Sequence, residues 1–110
     1  MTRHKIICAA LVAGTLLSLP AFADCELPPP PSKIPDGTSA SEQEMISAMQ
    51  TLKQYDGDVN VYLKCLEFEE KQNHLSASDH ESKHNSAVAT LEGVASKFNE
   101  QVRIFKAKHS

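Results

Sequence analysis

The chain has no tryptophan, two tyrosines and four phenylalanines in 110 residues. So few aromatics cannot build a broad core, and a chain this short folds as one domain at most. It holds four glycines and three cysteines. No Gly-rich phosphate loop and no nucleophile elbow occur. Long apolar runs are absent after Leu19. Basic residues are outnumbered: residues 24–110 keep nine Lys and Arg against fourteen Asp and Glu, a net charge near −5. That balance argues against nucleic acid and against an anionic membrane as partners, because both call for basic stripes.

What is present begins with a leader. Arg3 and Lys5 precede an apolar stretch from Ile6 to Leu19, which is short for a bilayer span. Pro20-Ala21-Phe22-Ala23 then supplies a small-x-small cleavage site. Residues 1–23 therefore read as a cleaved signal peptide, and the rest as an exported protein, periplasmic or secreted, with no membrane contact after cleavage. Cys8 leaves with the leader. Cys25 and Cys65 remain as an even pair in an oxidising compartment, which predicts one disulfide. Closing a loop of this size contributes roughly 4 kcal/mol in the chain-entropy account. Free or intermolecular thiols and a redox pair are the alternatives, and for the second no Cys-x-x-Cys occurs.

Residues 24–40 read as an extended arm. Pro28 to Pro31 favour polyproline II, and Pro35-Asp36-Gly37 is a turn signal. Ser41 and Glu44 form a capping box, so a helix starts there. Its apolar stripe runs through Met45, Leu52, Tyr55, Val59, Tyr62 and Leu66, with Ala48 between the first two completing alternating steps of three and four. The stripe keeps its phase across Gly57, which predicts one helix over about 41–74, with three helices as the variant if the chain breaks at Gly57. Ser78 and Glu81 look like a second capping box, opening a helix over about 79–107. Its stripe includes Leu91, Phe98, Val102 and Phe105. The link is short, so the fold class is all-α: an antiparallel helical hairpin in residues 41–108. The arm is long enough to double back, which lets the disulfide pin it over the hairpin groove with Leu27 and Ile34 inward.

One motif suggests chemistry. His80-Glu81-Ser82-Lys83-His84 matches H-E-x-x-H, where two His one turn apart bind zinc and the Glu acts as base. Three readings stand beside one another: a solvated helix start, non-catalytic binding of zinc, nickel or copper by His80 and His84 with His74, and a hydrolytic site with Glu81 as base. The extended metzincin pattern fails, since Ala87 and Thr90 stand where Gly and His belong. A third ligand has to be Glu92, Glu100 or a residue of the first helix. A capping role for Glu81 also removes it as a base. We therefore read the match as adventitious, the protein as no enzyme and no cofactor as implied, and keep metal binding as the alternative.

Two helices bury a single seam, so the disulfide, the arm or another copy has to assist folding. Ala48 aside, the ten stripe residues named above are the candidate interaction surface, for a homo-oligomer or a protein partner. Met45 and Met49 suit an adaptable surface. Cys25, Ile34-Pro35-Asp36-Gly37, Tyr62-Leu63-Lys64-Cys65-Leu66 and Phe98-Asn99-Glu100-Gln101-Val102-Arg103 together resemble a group of small secreted helical proteins of proteobacteria. The resemblance implies an exported helical protein, brings no known activity and carries over no functional residue.

Overall fold

The structure is a computed structural model that describes residues 25–110 and Gly14; apart from Gly14, the leader expected over 1–23 lies outside the described residues. Two helices, α1 (Glu42–Lys71) and α2 (Ala77–His109), form an antiparallel hairpin, and no strand occurs among the described residues. They are about 45 and 50 Å long at 1.5 Å per residue.

α1 begins as its sequence dictates. The Ser41 hydroxyl accepts from the Glu44 amide, and the Glu44 carboxylate accepts from the Ser41 amide. The helix runs unbroken through Gly57, so the three-helix variant does not form. It ends at Lys71, three residues short of the expected boundary. Asn73 takes a left-handed conformation with φ 61°, which an Asn tolerates better than most side chains. This lets the His74 amide donate to the Glu69 carbonyl and the Asn73 amide to the Glu70 carbonyl, satisfying the last turn.

α2 starts two residues earlier than the sequence reading placed it. Ser76, not Ser78, is the N-cap, and its hydroxyl accepts from the Asp79 amide at 3.0 Å. Ser76-Ala77-Ser78-Asp79 has the same Ser-x-x-acid spacing as the expected box, and Leu75 just before it packs on the core. That packing fixes the entry and selects the earlier serine. Glu81 is therefore not a capping residue.

The seam between the helices holds two apolar clusters. Near the hairpin tip, Tyr55, Val59, Tyr62, Leu66 and Ala87 are buried together. Toward the open end, Ala40, Met45 and Phe98 are buried with Val102 and Phe105 against them. Leu52 bridges the two clusters.

The arm doubles back along the hairpin. Cys25 and Cys65 are joined by a disulfide with Cα atoms 5.7 Å apart. Cys25, Pro28, Pro31 and Ile34 are each half-buried, a spacing of three residues that is the period of a polyproline II helix. Ile34 packs on the open-end cluster as expected. Leu27 does not turn inward: it lies one residue out of phase with that period and is 59% exposed. The arm ends in a turn in which Asp36 accepts from the Thr38 amide and hydroxyl while its carbonyl takes the Ser39 and Ala40 amides.

Candidate association surface and the histidine motif

All ten candidate interaction residues lie in or against the two interior clusters: Met45, Leu52, Tyr55, Val59, Tyr62, Leu66, Leu91, Phe98, Val102 and Phe105. The stripe is consumed by the hairpin itself. Burial pushes the Tyr55 phenol above its ordinary pKa. A surface for a partner has to be sought on the outside.

There the helices differ. Among the described residues, the large apolar side chains left exposed are Leu27, Ile46, Met49, Val61 and Phe68. Four of these five lie on α1 and none on α2. Val61 is 68% and Phe68 57% exposed, and seven residues at about 100° each bring them almost into line. Leu27 and Pro28 border Val61 and Tyr62 in a shallow hollow beside the disulfide. Val61, Phe68 and Ile46 thus fall on the face of α1 opposite the seam, with Leu27 of the arm next to Val61 and Met49 toward the side of the helix. The periodic stripe masked this in the sequence, because Val61 and Phe68 are among the apolar residues that fall outside it.

The histidines gather at the hairpin tip. His80 and His84 share a face of α2 with ring centroids 6.1 Å apart. The His80 Nδ1 is in contact with the Glu70 carboxylate of α1, and His74 Nδ1 lies 3.1 Å from Glu69. Glu70 is the first-helix residue that reaches the motif. Glu92 and Glu100 lie farther along α2 and are exposed. Glu81 is exposed and freed from the cap. Among the described residues no group of three or more His, Cys, Asp or Glu side chains is arranged to hold a metal ion. The acidic run ahead of the tip is thus divided: Glu67 pairs with Lys71 at 3.0 Å, and Glu69 and Glu70 face histidines. The Lys71 ammonium holds the Glu67 carboxyl below its usual range through that hydrogen bond.

A third feature was read in the sequence only as a turn. Gly37 is buried, and its amide donates to the Gln101 Oε1 at 2.8 Å. Lys108 reaches the Thr38 carbonyl. Arm and α2 are thereby clamped at the open end, as arm and α1 are by the disulfide near the tip. No helix among the described residues is long and apolar enough to cross a membrane.

Comparisons of the chain with protein-family models, with curated proteins and with solved structures find no match.

Proposed function

We propose that the protein is a non-enzymatic exported helical protein, periplasmic or secreted, that acts by association with itself or with a protein partner. The observation that supports this is that Val61 and Phe68, and farther along Ile46, stay exposed on the outward side of one helix, on a hairpin whose own seam is already filled. Large apolar side chains clustered in water favour burial against another surface. The disulfide suits an oxidising compartment. Two measurements test the reading. N-terminal sequencing of the protein recovered after expression is expected to begin at Asp24, and an intact Met1 overturns export. Sedimentation velocity of the disulfide-bonded protein is expected to show mass rising with concentration, or a stable complex with a purified partner. Strict monomer behaviour and no such complex overturn association.

A further inference from the structure

The outward faces of the two helices carry opposite chemistry. On α1 at about 100° per residue, Lys53 and Lys64 flank the line of Gly57, Val61 and Phe68 opposite the seam. No acidic residue falls in that sector. On α2 the sector opposite the seam runs through Ser78, Ser82, Asn85, Ala89 and Ser96, with Glu81 and Glu92 along one side and with Glu100 and Arg103 in the sector toward the C-terminal end. All these residues are exposed. Neither Lys53 nor Lys64 pairs with an acid of its own chain, and neither Glu81 nor Glu92 with a base, among the described residues.

The spacings agree. Eleven residues separate Lys53 from Lys64, and eleven separate Glu81 from Glu92. Eleven residues are close to three helical turns, so each pair projects from one side of its helix. Two antiparallel helices laid outer face to outer face bring like flanks together. In that arrangement one register places Lys53 opposite Glu92 and Lys64 opposite Glu81. One residue along from that register, about 1.5 Å, Gly57 meets Ala89, Val61 meets Asn85 and Phe68 meets Ser78 on the outer face. A Cβ at Gly57 meets nothing of its own chain within 4 Å, so two backbones can approach there. Phe68, the bulkiest exposed residue of α1, then falls on a serine of α2.

We propose that the outer face of α1 docks antiparallel on the outer face of α2 of a second copy, through Lys53 with Glu92 and Lys64 with Glu81 of that copy. This rests on the self-association reading above and gives it a surface. The two faces differ, so the contact is heterologous, and each added copy leaves one face of each kind for another. Salt weakens the association, because the pairs lie at the rim in water.

The test uses two charge-reversed proteins, K53E/K64E and E81K/E92K, each disulfide-bonded and checked for helix content by circular dichroism. In the first the docking flanks of both outer faces are acidic, and in the second both are basic. Sedimentation velocity at low salt is expected to show each reversal alone raising the apparent association Kd about tenfold or more over the parent. An equimolar mixture of the two is expected to regain association, since each then meets an opposite face. Mixing also removes misfolding as an explanation, because a misfolded chain is not rescued by another. If the parent associates and both variants associate equally well alone, this surface is wrong while self-association stands. If the parent stays monomeric to ~1 mM, self-association fails and the proposal with it. A monomeric parent that binds phosphatidylglycerol vesicles, with binding lost in K53E/K64E, overturns the proposal in favour of a lipid surface on α1.

Discussion

Gly37 lies against Gln101 so closely that the arm and α2 touch backbone to backbone. The Gly37 amide meets the Gln101 side-chain oxygen at 2.8 Å. A Cβ on Gly37 would collide with the Gln101 carbonyl oxygen and stand 2.9 Å from the Phe105 amide nitrogen. Neither obstacle is a flexible side-chain end, so the arm would have to lift. Gly37→Ala is therefore expected to destabilise the protein by about 1–3 kcal/mol, the range of overpacking. Gly57→Ala is the matched control. It sits mid-helix with open space around it and is expected to stabilise by up to about 1 kcal/mol through helix propensity. Urea unfolding of both variants checks the pair, and equal shifts would mean that the clamp does not hold the arm.

The period of the arm separates Ile34 from Leu27. Ile34 falls in phase with Cys25, Pro28 and Pro31 and reaches the Phe98 cluster, while Leu27 faces water. Ile34→Ala is expected to cost about 1–2 kcal/mol, a share of the loss at a fully buried site. Leu27→Ala is expected to stay within about 0.5 kcal/mol. Thermal unfolding compares them. The sequence did contain this distinction. Four prolines prescribe three residues per turn, and Cys25 sets the phase once it is tied to Cys65, which excludes Leu27 from the inward row. Reading apolar residues as inward without counting that period placed Leu27 wrongly.

The start of α2 shows a different limit. Ser76 and Ser78 both stand three residues before an acid, so local pattern alone permits two starts. Packing of Leu75 on the tip cluster decides for Ser76, and packing is a tertiary fact. Ser76→Ala is expected to cost about 1 kcal/mol, the usual loss of an N-cap. Ser78→Ala, inside the helix, is expected to be neutral or slightly stabilising. The outward surface was hidden for a related reason. A stripe in a sequence announces that it is buried, but not whether its own hairpin or another chain buries it. Here the hairpin fills it, and Val61 and Phe68, off the stripe, are left outside.

The arm turn carries a pH dependence with a definite sign. The Thr38 hydroxyl and amide hydrogen-bond the Asp36 carboxylate and hold its pKa below the ordinary value, with Lys108 adding in the same direction. A carboxyl whose folded pKa is depressed contributes stability above its unfolded pKa and loses it as pH falls through the folded one. The contribution is thus whole at neutral pH and fades below about pH 4. Asp36→Asn is expected to flatten that part of the acid-unfolding curve while lowering stability at pH 7. An acid limb of unchanged slope in the variant would assign the pH dependence to other carboxylates.

The histidine motif calls for a direct metal test, and the geometry sets its expectation. Zinc at a protein site asks for three or four ligands converging within about 2–2.3 Å of one point. His80 and His84 supply two, and Glu70 already contacts the Nδ1 of His80. Occupying that nitrogen leaves Nε2 for a metal, but no third side chain among the described residues is placed to complete the set. Two imidazoles without a third ligand do not hold zinc against exchange with buffer. Titration calorimetry with zinc, on the parent and on a His80→Ala/His84→Ala variant, is expected to give the same small signal for both. Native mass spectrometry is expected to find no zinc retained after desalting. One zinc per chain held through desalting, and lost in the double variant, would make the tip a metal centre. Glu70 would then be the ligand to test next, since it alone among the α1 carboxylates touches His80.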